Sequence, residues 1–132
     1  MAEENPTQAL FSARNLKCHF GSGSLGKWSD SKVSVEQDNK SNIPLQFDSI
    51  DVKAGKARMI DEQGTDDVSV LVSLSGVTFV ERTGLGNFVF AIVFRTRVPE
   101  TDEFYAVMSR HVQLLSKHPI PSQYHGKCKA WQ

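Results

Sequence analysis

The residues of this sequence that could do chemistry are concentrated near its C-terminus, where a predicted strand ends in an arginine. Residues 104–111 alternate as a strand does, so Arg110 follows Phe104, Ala106 and Met108 on one face. A long arginine side chain at a strand end can simply reach past the apolar row into water, or it can form a buried structural ion pair, for example with Glu103 or Glu81. Alternatively, the Arg110 guanidinium lies at the mouth of an apolar pocket, where it would bind a carboxylate or phosphate through two hydrogen bonds.

A second predicted strand, residues 87–94, is apolar on both of its faces. One face is bulky and the other is small: Phe88, Phe90, Ile92 and Phe94 against Val89, Ala91 and Val93. A solvated antiparallel strand has one polar face, so something must cover the second side of this strand. The alternatives are coverage by the N-terminal segment or a subunit partner, and a barrel whose cavity is lined by the small side chains while the phenylalanines pack outside.

Acid–base chemistry is an alternative use of the same region. The second face of residues 104–111 carries Tyr105 and His111, and His125 lies in the last predicted strand. Each of these side chains could transfer a proton in a small barrel enzyme such as an isomerase, cyclase or hydrolase. No GxSxG, phosphate-binding loop or dinucleotide-binding glycine pattern is present to favour one of these reactions.

Neither the histidines nor the cysteines show a spacing that indicates a metal or a nucleophile. The four histidines form no HxxxH or HExxH motif, so we expect no metal site and no cofactor. His19 is adjacent to Cys18, but adjacent strand residues face opposite sides of a sheet. A Cys18 nucleophile would therefore need another histidine, and His125 is the nearest candidate if the end strands pair.

The composition limits the class of protein. A chain of 132 residues fits one domain. Fifteen basic and fifteen acidic residues give a net charge of zero, which argues against a nucleic-acid partner held by overall charge. Residues 109–132 nevertheless contain no Asp or Glu, which indicates either a solvated basic edge or a surface for an anionic ligand.

The two ends of the chain bear on its compartment. The N-terminal residues include the acidic Glu3 and Glu4 and lack the apolar run of a secretory signal, so we expect a cytoplasmic protein. No apolar stretch approaches the roughly 20 residues of a membrane-spanning helix. In a reducing cytosol Cys18 and Cys128 are expected to be free thiols.

Short strands at regular spacing predict the fold class, an all-β antiparallel up-and-down barrel of about eight or nine strands. Residues 1–14 form a polar lead-in with a short helix that starts at Asn5 and Pro6, and residues 15–132 form the single barrel domain. The glycine-rich residues 21–26 are predicted to be a loop. The predicted strands are residues 16–20, 33–36, 45–52, 56–60, 68–74, 77–83, 87–94, 104–111 and 124–131.

Closure of this barrel would place residues 16–20 beside residues 124–131, because a closed sheet leaves no exposed edge. Cys18 and Cys128 would then be close enough to form a disulfide, although we expect the reduced form.

The tripeptide Gly26-Lys27-Trp28 reads GxW after a possible short N-terminal helix. In this respect the chain resembles the lipocalins and other calycins, whose first barrel strand starts with a GxW signature. The resemblance implies a barrel with an internal site, in which Trp28 closes one end and packs under a basic residue, here Lys127 or Lys129. The second and third lipocalin motifs are not present in this sequence.

Two functions follow as hypotheses. The first is a non-enzymatic binder of a small apolar or amphipathic molecule with an acidic head, in which Phe88, Phe90, Phe104 and Met108 form the wall and Arg110 binds the head. The second is the barrel enzyme that uses His111, Tyr105 and His125. A homodimer is expected through one face of residues 87–94 or 77–83.

Overall fold

Nine strands and one short helix account for most of the chain in the computed structural model, which describes residues 6–82, 87–113 and 118–131. The helix α1 spans Pro6–Phe11. The strands are β1 (Leu16–Ser29), β2 (Lys32–Asp38), β3 (Ile43–Asp51), β4 (Lys56–Asp61), β5 (Gly64–Val72), β6 (Gly76–Arg82), β7 (Phe88–Arg97), β8 (Glu103–Gln113) and β9 (Pro119–Ala130).

The strands form one antiparallel sheet that closes on itself. From β3 to β9 each strand pairs with the next along the chain, and β1 pairs with both β3 and β9. β1 and β3–β9 therefore make a closed eight-stranded barrel, and β2 is an additional strand paired only with the second half of β1. The predicted fold class, an all-β antiparallel barrel with a short N-terminal helix, is confirmed.

β1 is longer than the sequence pattern indicates. Residues 21–26 were predicted to be a loop, and this prediction is wrong, because β1 continues through them to Ser29 with a register shift between Phe20 and Gly23. A Cβ atom at Gly23 would collide with the carbonyl oxygen of Gln123, so this glycine is needed for close approach between strands. Gly23 therefore marks a crowded strand rather than a turn.

Inward-facing side chains alternate along every barrel strand and fill one end of the barrel. The rings of Phe47 and Phe79 stack with centroids 4.0 Å apart. α1 packs against β6 and β7, and its Leu10 is buried in the same core. The backbone carbonyls of Arg14 and Asn15 accept hydrogen bonds from the backbone N–H groups of Ile50 and Trp131, so the helix closes the end of the barrel where β1 begins. The predicted position of Asn5 lies outside the described residues.

The seam between β1 and β9 closes the barrel, as predicted from the two ends of the sequence. Cys18 and Cys128 are direct partners across this seam and form a disulfide over a sequence separation of 110. The expectation of reduced thiols is therefore wrong for this structure. The hypothesis of a Cys18 nucleophile fails with it, because the sulfur is already bonded.

Trp28 does not occupy the position that the calycin resemblance implies. It pairs with Val33 in the β1–β2 hairpin, beyond the paired part of the barrel seam, and it is 41 % exposed. The tryptophan that does lie under a basic residue is Trp131, whose ring centroid is 4.6 Å from Lys17 Nζ. The barrel architecture is consistent with a calycin, but Trp28 does not support the resemblance.

The doubly apolar strand β7 places its small residues inside the barrel. Ala91 and Val93 are buried, whereas Phe88 is 37 % exposed on the outer face. The Phe88 and Phe90 rings stack there with centroids 5.9 Å apart. The structure therefore has the small side chains inside and the phenylalanines outside, and coverage of this outer face by a subunit partner stays a prediction.

We expect no reactive thiols in the protein when it is unfolded without a reductant, since both cysteines are bonded. Removing the bridge in a Cys18→Ala, Cys128→Ala variant should lower the free energy of unfolding by about 4–5 kcal/mol, because the unfolded chain regains the entropy of a long loop. Thiol titration and urea denaturation measure the two effects. Two reactive thiols in the unreduced, unfolded chain would contradict the bridge.

The homodimer stays a prediction, and the outer face of β7 is where it can be tested. Sedimentation velocity at micromolar concentration should give twice the monomer mass of 14.7 kDa. Phe88→Ser should shift the protein towards monomer, because it removes an exposed aromatic ring from that face. Val35→Ser, which changes a 73 % exposed valine on β2, is the matched control. A wild-type monomer would refute the dimer.

Candidate functional site

A cavity of about 350 Å³ lies at the end of the barrel opposite α1. It is bounded by the first residues of β3 and β7 and the last residues of β4, β6 and β8. Its deeper wall is apolar and includes the buried side chains of Leu45, Met59 and Met108, and Val89 lies nearer the edge. Its polar wall includes Asn42, Asp61, Glu62, Gln63, Glu81 and Arg110.

Two charged side chains face each other across one row of the sheet. Glu81 on β6 is the direct partner of Val89 on β7, and Val89 is the direct partner of Arg110 on β8. Neighbouring strands are about 4.8 Å apart, so the backbones of Glu81 and Arg110 are separated by roughly 10 Å. All three residues line the cavity, so the carboxyl and guanidinium groups flank an apolar side chain.

Glu81 is the one charged residue among those classed as buried in the described chain, with only 9 % of its surface exposed. Burial is the largest cause that raises the pKa of its carboxyl, to about 7. A hydrogen bond with Asp66 and the negative charges of Asp66 and Asp61 raise it further, and Arg110 partly opposes them. The Glu81 carboxyl therefore keeps its proton to a higher pH than an exposed carboxyl does.

Arg110 is partly buried and is supported from below by an aromatic ring. Its guanidinium carbon lies 5.9 Å from the centroid of Tyr124, and the Tyr124 hydroxyl donates a hydrogen bond to Asp38 Oδ2 at 2.8 Å. Hydrogen bonds from the hydroxyls of Ser41 and Tyr124 and the backbone of Lys40 lower the pKa of Asp38 to about 2. Asp38 is thus ionised at neutral pH and holds the ring beneath Arg110.

The predicted binding residues separate into two groups. Met108 and Arg110 line the cavity, and Phe104 is buried on the same inward face of β8, nearer the α1 end. Phe88 and Phe90 do not reach the cavity, because they lie on the outer face of β7. Phe90 instead meets the ring of His111 edge-on, with centroids 5.9 Å apart.

The predicted acid–base residues lie outside the cavity. Tyr105 is 42 % exposed, and His111 is exposed on the same outer face of β8. His125 is exposed on β9, with Nδ1 3.1 Å from the carbonyl oxygen of Ser22. The structure brings none of these three side chains to Arg110 or to the cavity.

The sequence analysis named Glu81 only as a partner for Arg110 in a structural ion pair and not as a site residue, although the same signal that indicated Arg110 was present. Val77, Phe79 and Glu81 share one face of β6, so this face also ends in a charge after an apolar row. The pattern of a single strand does not show that the two apolar rows end in charges side by side, because this depends on the register of three strands.

No protein-family model, curated protein or solved structure matches this chain. Within the described ranges, no helix is long and apolar enough to span a membrane.

The buried carboxyl of Glu81 should make the stability of the protein depend on pH. The folded chain retains a proton that the unfolded chain releases above its ordinary pKa of 4.5, so the free energy of unfolding should fall as pH rises towards 7. Glu81→Gln removes this term. The variant should therefore gain stability relative to the wild type between pH 5 and pH 8, measured by urea denaturation.

Glu36→Gln is the control for this measurement, because Glu36 is exposed. Among the ion pairs of the described residues it takes part in one, with the exposed Lys27, whose Nζ lies 3.2 Å from the Glu36 carboxylate. The difference in the free energy of unfolding between Glu36→Gln and the wild type should be nearly the same at pH 5 and at pH 8. The same flat difference for Glu81→Gln would show that Glu81 titrates normally.

Proposed function

We propose that the protein binds a small amphipathic molecule in the barrel cavity, with the acidic head of the molecule at Arg110 and its apolar part against the deeper wall. The single observation that carries this proposal is the position of Arg110. Arg110 lines a cavity whose deeper wall is formed by Met59, Met108 and other apolar side chains. A guanidinium can bind a carboxylate through two parallel hydrogen bonds, and partial exclusion of water strengthens them.

The support beneath Arg110 favours binding over a purely structural role. Tyr124 lies under the guanidinium, and Asp38 fixes the Tyr124 hydroxyl, so the side chain of Arg110 is positioned before a ligand arrives. A side chain held in place loses less conformational entropy when it binds. Arg110 therefore has the features of an anchoring residue for an anionic group.

The size of the cavity limits the ligand. A volume of about 350 Å³ lies near the lower end of the ~300–1,000 Å³ range of small-molecule sites. This favours a short amphipathic acid over a long-chain fatty acid.

The enzyme hypothesis based on His111, Tyr105 and His125 has less support. Proton transfer requires the acid or base to reach the reacting atom within hydrogen-bond distance. All three side chains are exposed on outer faces of β8 and β9, away from the cavity that would hold a substrate.

A thermal-shift screen with amphipathic carboxylates tests the proposal. The panel contains octanoate, phenylpropionate and their 2-substituted derivatives. A ligand at 100 times its dissociation constant stabilises the native state by about 2.7 kcal/mol, which raises the melting temperature by several degrees. We expect this rise for the wild type and its loss in Arg110→Ala.

Arg95→Ala is the matched control, because Arg95 is exposed on β7 near the α1 end of the barrel. It removes the same charge and should leave the ligand-induced rise unchanged. If no carboxylate of the panel stabilises the wild type, or if Arg110→Ala responds as the wild type does, the proposed function is wrong.

A further inference from the structure

Negative charge is concentrated on one wall of the cavity. Asp61 at the end of β4, the following Glu62, and Glu81 on β6 all line it, and the negative charge of Asp66 on β5 acts on Glu81. Arg110 lies on the other side, on β8. The cavity therefore has an acidic side and a basic side, with the apolar Val89 between them.

This distribution does not match a ligand that carries only an acidic group. A carboxylate at Arg110 would also lie near the carboxyl of Glu81, and two neighbouring negative charges repel each other strongly where water is partly excluded. A cation next to Glu81 would remove this repulsion and would favour the ionised form of a buried carboxyl. In the ligand-free protein, Arg110 is too weak an influence to do so, since burial and the two aspartates outweigh it.

We infer that the cavity takes a zwitterionic molecule, an α-amino acid with an apolar side chain, whose carboxylate binds Arg110 and whose ammonium group binds Glu81. This inference rests on the proposed function, because it keeps the acidic head at Arg110 and assigns a second group on the ligand and a second anchor on the protein.

The register of the sheet explains why the two charges of the ligand are close together. Glu81 and Arg110 are both direct neighbours of Val89 in one row, so their side chains approach a common point above this valine. An α-amino acid presents its ammonium and carboxylate groups on one carbon atom. With that carbon above Val89, its apolar side chain would extend towards Met59 and Met108 in the deeper wall.

Binding of an ammonium group has a consequence for the proton on Glu81. The groups that face Glu81 are Asp61 on β4, Asp66 on β5 and Arg110 on β8. A ligand cation would add positive charge to this set and lower the pKa of Glu81, so the partly protonated carboxyl would lose its proton. Binding near pH 7 should therefore release a proton, whereas binding of a carboxylate alone should take one up or leave protonation unchanged.

Three probes of equal chain length separate the contributions of the two groups. They are 2-aminooctanoate, octanoate and octylamine, each titrated into the full chain by isothermal calorimetry at pH 7. We expect 2-aminooctanoate to bind at least tenfold more tightly than octanoate and octylamine. Titrations in two buffers with different ionisation enthalpies should show proton release for 2-aminooctanoate.

Glu81→Gln tests the assigned residue, because glutamine has nearly the same shape, can still hydrogen-bond to Asp66 and carries no charge. In this variant the preference for 2-aminooctanoate over octanoate should disappear, and so should the proton release. Glu36→Gln, an exposed carboxyl on β2, should retain both. Circular dichroism confirms that each variant is folded before the titrations are compared.

The outcomes distinguish this inference from the proposed function. If octanoate binds as tightly as 2-aminooctanoate and depends on Arg110, the inference is overturned and the proposed function stands. If 2-aminooctanoate binds best but Glu81→Gln retains the preference and the proton release, the assignment of Glu81 is wrong. If octylamine binds as tightly as 2-aminooctanoate, or if none of the probes binds, the proposed function fails as well.

Discussion

The pairing of β1 with β9 is the constraint on which the rest of the structure depends. Without it the sheet would be an open meander, and no side chain would face an interior. β1 can serve this seam because Gly23 and Gly126 let the two backbones approach where a Cβ atom would collide with the opposite strand. The Cys18–Cys128 disulfide then joins the first and last strands covalently, so the closed form is fixed at the contact between these two strands.

Closure places the inward-facing residues of all the barrel strands in one interior, and the types of these residues differ between the two ends of the barrel. Near α1, buried phenylalanine rings and the buried Leu10 fill the interior. At the opposite end the inward positions are held by Glu81 and Arg110, whose charged groups resist the same dense packing. A cavity results there. The pKa of Glu81 is raised mainly because burial at the edge of this cavity disfavours the charged form of its carboxyl.

The parts of this structure that depend on local periodicity could be predicted from the sequence, and the parts that depend on register could not. The alternation in β8 correctly placed Phe104, Met108 and Arg110 on one face. The glycine-rich half of β1 was misread because glycine marks both turns and close strand contacts. The alignment of Glu81 with Arg110 needs the offsets of β6, β7 and β8, which composition and spacing do not encode.

The hairpin of β1 and β2 leaves one open border on a sheet that is otherwise closed. β2 is the terminal strand of the described order, its residues up to Gln37 are exposed, and Val33 and Val35 stand among them. Such a border can template the addition of a strand from another molecule, the usual first step of aggregation. Lys32 and Glu36 interrupt this apolar character with charge, and the strand is only seven residues long. Addition of a strand from another molecule would therefore take place at this short border rather than at the closed part of the barrel.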